Sequence, residues 1–289
     1  MISETPNPIR ITLTILTTLS FTPQLYTILS RKSSAGISLS YVLFNLLVAT
    51  EQFTLVFFLM INVPEIGRGG FAHESFTLGD WLNFGQVGGT WVSFLILLMV
   101  CLYYRPRRCS AKGYIWIYVL YLSISVVPLL LDLVITPPPD GLDYREGFAF
   151  IHGLLLNTLA IPLGLVSFLC QTPQIWHYAD PDYEFEVEPE SLDSSFSLLG
   201  LGIQTLLFGA LAVSWIWRFV YVDSGIKIGT DAMEWFWGGG WTVVHAGIFA
   251  GVQGGLLACG LWCRWKYRGG KETGTEAGGD GEREPLLGE

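Results

Sequence analysis

This sequence contains few charged residues. Only 14% of its 289 residues are charged, while 51% are hydrophobic and the mean hydropathy is +0.46. A soluble domain of this length carries about 25% charged residues. The composition therefore excludes an ordinary soluble domain and predicts a polytopic membrane protein.

The sequence also lacks the usual marks of catalysis and cofactor binding. No Gly-x-x-x-x-Gly-Lys-Ser/Thr occurs, which excludes a P-loop ATPase. The five cysteines have no partners at metal-ligand spacing, and no paired carboxylates or nucleophile constellation is apparent. We therefore expect no cofactor, no metal and no enzyme activity, and nothing indicates nucleic-acid binding. The last apolar segment has no lysine between Gly238 and Cys263, which disfavours a retinal protein.

Long apolar stretches are what the sequence has instead. A helix needs roughly 20 apolar residues to cross a bilayer, and seven segments approach that length. Backbone groups in hydrocarbon must satisfy one another, and these runs do not alternate as barrel strands do, so all of them are predicted to be helices. The predicted segments are 8–30, 38–61, 81–103, 113–135, 147–172, 195–221 and 237–262.

The basic residues predict the orientation of these segments. With the N-terminus outside, 11 of the 16 Lys and Arg residues fall in the cytosol, as the positive-inside rule requires. All five cysteines then lie at or beyond cytosolic helix ends, so no lumenal disulfide is expected. The first segment has no basic region and small-residue cleavage site before it, so we expect it to be retained.

A short motif occurs twice, near the cytosolic ends of two predicted helices. Thr22-Pro23-Gln24 and Thr172-Pro173-Gln174 are each followed by an apolar residue, a polar stretch and a second apolar segment. In both copies of that second segment, a serine and a side-chain amide are seven residues apart. We interpret the match as an internal duplication.

The two motifs and the number of helices resemble the PQ-loop repeat family, which includes cystinosin, vacuolar and lysosomal basic amino acid exporters and, more distantly, the SWEET sugar transporters. The resemblance covers most of the chain. It implies an all-α membrane protein of seven transmembrane helices within residues 1–263. Two parallel three-helix bundles, 8–103 and 147–262, would be joined by an inverting linker helix, 113–135. Such repeats place the cargo site between the halves near the bilayer midplane.

The Pro-Gln pairs are candidate hinges. A proline in a helix interior removes a backbone donor and clashes with the carbonyl four residues earlier, so Pro23 and Pro173 are expected to weaken their helices. Gln24 and Gln174 follow directly, with amides able to meet exposed backbone groups. The resemblance implies that each bundle bends here to close a cytosolic gate, and a static kink is the alternative.

Glu51 is the most informative ionisable residue, because it lies near the middle of the second segment. A charge there costs about 2.5–3.5 kcal/mol on insertion scales. The carboxyl group could take a proton on an acidic lumenal side and release it to the cytosol, or it could be a structural group bonded to another helix. At about 100° per residue, Gln52 shares a face with Asn45 whereas Glu51 lies roughly 120° around. Glu51 is therefore expected to couple to the cargo site without lining it.

Amide and imidazole side chains are the candidates for a cavity that takes a small polar solute. Asn45 and Gln52 lie on one face of the second segment, and Gln204 matches Asn45 in the second repeat, so both amides are expected to face one cavity. Asn157 can present a donor and an acceptor together. His245 could bind cargo or exchange protons, with a packing histidine as the alternative.

The C-terminal residues 264–289 are basic, then glycine-rich and acidic, and are expected to form a disordered cytosolic tail. Its end is similar to the acidic dileucine signal that clathrin adaptors bind on lysosomal and vacuolar proteins. Glu282, Leu286 and Leu287 are the matching residues. The match predicts a clathrin adaptor as a partner and a vacuolar or lysosomal-type membrane as the destination.

These patterns predict a secondary transporter that moves a small polar solute, such as an amino acid, by alternating access hinged at the two motifs. Its partners would be the solute, protons through Glu51, the lipid bilayer and the adaptor. The alternative is a seven-helix receptor or nutrient-sensing scaffold with no transported cargo.

Overall fold

A computed structural model of the chain describes residues 5–66, 75–105, 111–134, 144–179, 196–218 and 235–275, and all regular structure in these ranges is helical. The all-α prediction is thus confirmed. The helices are α1 (Asn7–Leu19), α2 (Thr22–Arg31), α3 (Leu39–Ile66), α4 (Leu78–Tyr103), α5 (Lys112–Ser125), α6 (Val127–Val134), α7 (Tyr144–Phe148), α8 (Asn157–Ala179), α9 (Leu198–Ile216) and α10 (Trp241–Thr275). Two π-helical segments, π1 (Ala149–Leu156) and π2 (Phe236–Gly240), lead into α8 and α10.

Within the described residues, six helical spans are long and apolar enough to cross a membrane. They are Leu39–Asn62, Leu78–Tyr103, Lys112–Leu131, Arg145–His177, Leu198–Ile216 and Trp241–Lys266. They correspond to all but the first of the predicted segments. The chain is therefore a multi-pass membrane protein, and the lipid bilayer is its solvent.

The prediction that the first segment is a single helix is wrong, because the helix is interrupted between α1 and α2. The α1 helix has 13 residues and α2 has 10, which makes them about 20 Å and 15 Å long. At the break the Ser20 N–H donates to Leu16 O at 2.9 Å and the Phe21 N–H donates to Thr18 O at 3.4 Å. Pro23 then lies in the first turn of α2, where a proline costs no hydrogen bond.

The last helix is longer than predicted. The α10 helix continues to Thr275, past the residue at which the tail was expected to begin. The sorting motif with Glu282, Leu286 and Leu287 lies outside the described residues.

The division into two three-helix bundles and a linker stays a prediction. Below, "first half" means residues 5–105 and "second half" means residues 144–275.

The halves pack through a few large contacts. The α3 helix packs against α4 in its own half and against α8 in the other. The α10 helix packs against α8 and α9, and α1 contacts both α4 and α9.

Two helix starts are fixed by side-chain caps. Thr77 Oγ1 accepts from the Asp80 N–H at 3.3 Å while Asp80 Oδ2 accepts from the Thr77 N–H at 2.8 Å, and Ser197 Oγ accepts from the Gly200 N–H at 3.1 Å.

Four phenylalanines form an aromatic cluster where the halves meet: Phe21, Phe94, Phe208 and Phe249. Phe21, at the helix break, has its ring centroid 4.9 Å from Phe94 and 6.4 Å from Phe208 in edge-to-face geometry. Phe249 lies 5.3 Å from Phe94 and 4.4 Å from Phe208. Such pairs add about 0.5–1.5 kcal/mol each beyond their buried area, so the cluster holds the junction of α1 and α2 against α4, α9 and α10.

Candidate functional site

A cavity lies between the halves, lined by residues of α3, α4, α8, α9 and α10. The space not filled by protein atoms, including any open solvent, is about 600 Å³. Its walls are mainly apolar, and its polar groups are neutral amides, a hydroxyl and an imidazole. These polar lining residues are Asn45, Gln52, Gln86, Thr90 and His245. A largely apolar cavity with a few converging polar groups is typical of a small-molecule site.

The aromatic cluster closes one end of this cavity. Phe94, Phe208 and Phe249 line it, and Phe94 also lines a second, smaller pocket of about 340 Å³ on the other side of the cluster. We call this the motif side, because Gln24 of the first Thr-Pro-Gln motif lines the smaller pocket.

Two glutamines bridge the halves on the motif side, in reciprocal fashion. Gln24 Oε1, in the first half, accepts from the Ser197 N–H at 2.8 Å, at the start of α9. Gln171 Oε1, in the second half, accepts from the Ser38 N–H at 2.8 Å, at the start of α3, and its Nε2 donates to Gly36 O at 2.7 Å. Gly36 has φ 84°, a left-handed conformation that favours glycine. Each half thus supplies one amide that caps the other half.

A third bridge on this side joins Tyr41 of α3 to Gln253 of α10. The hydroxyl lies 3.0 Å from Oε1 and 2.7 Å from Nε2 of the glutamine, donating to the first and accepting from the second. Gln253 is fully buried and Tyr41 is buried. Amide and hydroxyl bonds of this kind are each worth about 1 kcal/mol net, so the motif side is held closed by several small contacts.

The opposite end, which we call the far side, is also bridged. The Thr5 N–H donates to Trp217 O at 3.1 Å and its hydroxyl donates to Ser214 O at 3.3 Å. Arg218 Nη1 donates to Asn83 Oδ1 at 3.3 Å, which ties the end of α9 to α4. The cavity is therefore bounded by contacts between the halves on both sides.

Glu51 lies outside this cavity, on α3 but facing α5 and π1. It is fully buried, and Tyr121 donates to Oε2 at 2.6 Å. Nδ1 of His152 lies 3.1 Å from each carboxylate oxygen, and the imidazole is stacked on Phe148 with centroids 4.2 Å apart. The group has its partners within the protein, as a buried carboxyl must.

The π1 segment brings His152 to Glu51. A π-helix has a wider turn than an α-helix, and such segments are rare and frequent at functional sites. The π1 segment is eight residues long and His152 is its buried residue. The π2 segment similarly precedes the turn of α10 that carries His245.

His245 lines the cavity and is bonded from behind by Asn157. Its Nε2 lies 2.9 Å from Asn157 Oδ1, and both residues are buried. The amide oxygen can only accept, so the imidazole donates from Nε2 and leaves Nδ1 as an acceptor when neutral. Asn157 therefore sets the tautomer of His245 rather than lining the cavity itself.

The predicted site residues fall into three groups. Asn45, Gln52 and His245 line the main cavity. Gln204 lines the smaller pocket on the motif side. Asn45 and Gln204 therefore do not face one cavity, although the sequence had predicted that they would. Asn157 lies behind His245, as described above.

Of the predicted hinge residues, Pro173 lies inside α8, which continues past it. Pro23 lies against the first turn of α9, since a Cβ added to Gly200 would be 3.6 Å from Pro23 Cβ. Gln24 is buried, whereas Gln174 is half-buried and Pro173 is exposed.

Gln171, His152 and Tyr121 were missed by the sequence reasoning. His152 is an ionisable residue inside a predicted membrane segment. Such residues usually mark functional sites, so the sequence contained a signal for it. Gln171 directly precedes the second motif, but the motif itself draws attention to Gln174. Nothing in the sequence marks Tyr121 among its neighbouring aromatic residues.

Comparison with known families gives one match, in the first half of the chain. Residues 9–63 match the family model of the PQ loop repeat, which spans α1, α2 and most of α3. The chain carries a PQ-loop repeat. This confirms the resemblance to the PQ-loop family, and the match ends before the second motif at 172–174. No curated protein matches the chain.

Proposed function

We propose that this PQ-loop protein is a secondary transporter that moves a small polar solute across a membrane by alternating access. The observation that supports it best is the cavity between the halves, bounded on both sides by contacts that join one half to the other. Cargo sites between repeats, gated by rocking of one repeat against the other, are a common transporter design.

The two sides would open by exchanging these contacts. On the motif side, opening breaks the bridges of Gln24, Gln171 and Tyr41 and displaces the aromatic cluster. On the far side, it breaks the bonds of Thr5 and Arg218. Each set consists of a few hydrogen bonds worth about 1 kcal/mol apiece, so neither side is held so firmly that the two states cannot exchange.

Proton coupling through Glu51 is part of the proposal. Its carboxyl group lies 2.6 Å from a phenol and 3.1 Å from an imidazole, so the three groups can share and exchange protons. Glu51 is on the same helix as Asn45 and Gln52, which line the cavity. A proton gained or lost by Glu51 would change how α3 packs on α5 and π1, and that change would reach the cargo through α3.

We further propose an N-out, C-in orientation in a vacuolar or lysosomal-type membrane. The excess of basic residues on one side and the dileucine motif support it. Changing Leu286 and Leu287 together to alanine should divert the protein to the cell surface, because a clathrin adaptor would lose its motif. Fluorescence microscopy of the tagged protein checks this, and unchanged residence in the organelle contradicts it.

Flux across reconstituted vesicles tests the transport proposal. Radiolabelled amino acids and other small polar solutes are screened for uptake into vesicles that contain the wild type. Ala160→Phe fills the cavity from α8, where Ala160 is a buried lining residue. Ala210→Phe is the matched control, because Ala210 is exposed on α9.

Uptake should fall more than tenfold in Ala160→Phe, which corresponds to about 1.4 kcal/mol or more, and should stay near wild type in Ala210→Phe. Equal uptake by both variants removes the cavity as the path. If solutes bind to the wild type in a cavity-dependent way and none crosses the vesicle membrane, the protein is the receptor or sensing scaffold instead.

A further inference from the structure

Two buried hydroxyl groups near Glu51 have no hydrogen-bond partner. Thr54 and Ser125 are both fully buried, and neither side-chain oxygen has a partner within the described residues. A serine or threonine inside a helix can bond the carbonyl four residues earlier. Thr50 and Ser123 do so on the same two helices, at 2.7 and 2.8 Å. The hydroxyls of Thr54 and Ser125 do not, so they call for another partner, such as water.

Both hydroxyls lie between Glu51 and the far side. Thr54 is one turn beyond Glu51 on α3, and Ser125 is one turn beyond Tyr121 on α5. The α3 helix begins on the motif side. The α5 helix runs parallel to it, because a serine and a tyrosine near the two helix starts also meet, with their hydroxyl oxygens 3.2 Å apart. One turn onward is therefore about 5 Å closer to the far side.

An apolar cluster separates the two hydroxyls from the far side. Its residues are Phe58, Leu129 and Phe148, all buried. Phe58 and Leu129 each lie four residues beyond one of the hydroxyls. The Phe148 ring stacks on Phe58 with centroids 5.0 Å apart and on His152 at 4.2 Å. One turn further along α3, Asn62 has a buried Oδ1 that also lacks a partner in the described residues. Polar groups thus resume beyond the cluster, and a narrow apolar constriction of this kind excludes water.

The ionisable groups around Glu51 favour proton exchange. Tyr121 of α5 and His152 of π1 contact the carboxylate. Of the other helices packed on α3, α4 and α8 carry Asp80 and His177, each in a terminal turn of its helix. No lysine or arginine in the described part of the chain bonds Glu51. A buried carboxyl without a fixed cation is readily neutralised by a proton.

This region is separate from the main cavity. Among the described residues, none that lines the cavity comes from α5, α6 or π1. On α3, Asn45 and Gln52 line the cavity, whereas Glu51 and Thr54 do not. A proton could therefore reach the carboxyl group without passing the bound solute.

We propose that Glu51 exchanges its proton with the far side along a route of its own, past Thr54 and Ser125, and not through the main cavity. This inference rests on the proposed function and deepens its proton coupling. Hydronium on the far side gives a proton to water held by the two hydroxyls, and that water passes a proton to the carboxylate, which becomes the neutral acid. Release reverses these steps. The apolar cluster is the barrier that closes the route in this structure.

Proton uptake by Glu51 can be followed in the purified protein without any flux. Protons are released by a light pulse, and the carboxylic acid C=O band is recorded by infrared difference spectroscopy. Loss of the band in Glu51→Gln assigns it. Thr54→Val and Ser125→Ala together should slow its appearance about tenfold, because the route loses the groups that hold its water. Ala160→Phe fills the main cavity and should leave the rate near that of the wild type.

Thr50→Val is the matched control for Thr54→Val. Thr50 is also fully buried on α3, but its hydroxyl is bonded to Leu46 O, so its loss should not slow the band. The substitutions of Thr54 and Ser125 remove no hydrogen bond seen in the structure, so both variants should fold, and each alone should show part of the slowing. In vesicles, the double variant should slow gradient-driven uptake and leave counterflow at equal pH unchanged.

Four results overturn the proposal. They are an unchanged rate in the double variant, equal slowing by Ala160→Phe, the absence of a Glu51 band at any pH, and a band that responds to sodium at constant pH. The second puts the route through the cavity, and the last makes the hydroxyls a cation site. Flux in the wild type together with any of these leaves transport standing. A band slowed only in the double variant, without flux of any solute, removes the transport proposal and leaves this one standing.

Discussion

The two Thr-Pro-Gln motifs have the same sequence and different structures. Pro23 lies in the first turn of α2, just after the interruption that follows α1, whereas Pro173 lies inside a continuous helix. Gln24 is buried and bonds the start of α9 across the interface, whereas Gln174 is half-buried. In the second half the bond across the interface is made by Gln171, three residues earlier.

The regions around the two motifs thus share a bridge between the halves, but not the position of the residue that makes it. In both halves, a glutamine within two residues of the proline accepts a hydrogen bond from the backbone N–H of a serine at the start of a helix in the other half. The first four N–H groups of a helix have no partner within that helix. In the first half, where the helix is interrupted just before the motif, Gln24 makes that bond. When the helix continues, as in α8, the face towards the other half is presented by Gln171.

Glu51 marks a second asymmetry, and its loss should have the largest effect. Ala210 stands in the second half where the spacing from Gln204 matches that of Glu51 from Asn45. Glu51→Gln keeps the shape of the neutral acid and cannot ionise. Uphill uptake driven by a pH gradient should vanish, while counterflow at equal pH persists because the cavity is unchanged.

The measurement is paired, with gradient-driven uptake and counterflow followed in the same vesicles. If Glu51→Gln still concentrates solute against a pH gradient, Glu51 is a structural carboxyl and His245 is the next residue to test. His152→Gln is expected to lower gradient-driven uptake as well, because it removes the imidazole that lies 3.1 Å from the carboxylate.

The prolines should differ in effect, which sharpens the comparison of the motifs. Pro173→Ala restores a backbone donor inside α8 and stiffens it, so flux should fall about tenfold while binding of solute changes little. Pro23→Ala should lower flux less, because Pro23 lies in the first turn of α2 and the break precedes it. Flux and ligand-induced stabilisation are compared for both. Equal flux in wild type and both variants would reduce the motifs to static kinks.

The smallest predicted effect separates the two glutamines near Pro173. Gln171→Ala leaves the Ser38 N–H and the Gly36 carbonyl without their partner, which should lower the free energy of unfolding by about 1–3 kcal/mol. Gln174→Ala is the control and should change stability by less than 1 kcal/mol, a limit of about one exposed hydrogen bond. Denaturation of both variants in the same detergent checks this. A larger loss in Gln174→Ala would contradict the assignment of the bridge.

The sequence predicted the membrane helices and part of the cavity, because both follow from local patterns. Apolar length located six of the spans, and helical spacing placed Asn45 and Gln52 on the cavity face with Glu51 turned away. It did not predict that the helix would be interrupted at Ser20. A proline at the start of a helix and a proline inside a longer helix have the same local sequence pattern. It also missed His152, because its approach to Glu51 depends on π1, and nothing in the local pattern indicates a wider helical turn there.

A reversible cross-link between the halves tests the central claim most directly. The five native cysteines are replaced by serine, and cysteines are placed at Gln24 and Ser197, whose side chain and backbone meet at 2.8 Å. A short thiosulfonate reagent then joins the halves on the motif side in vesicles that show flux. Alternating access predicts that flux falls to background when the halves are joined and returns on reduction. Flux that continues with the halves joined would contradict it.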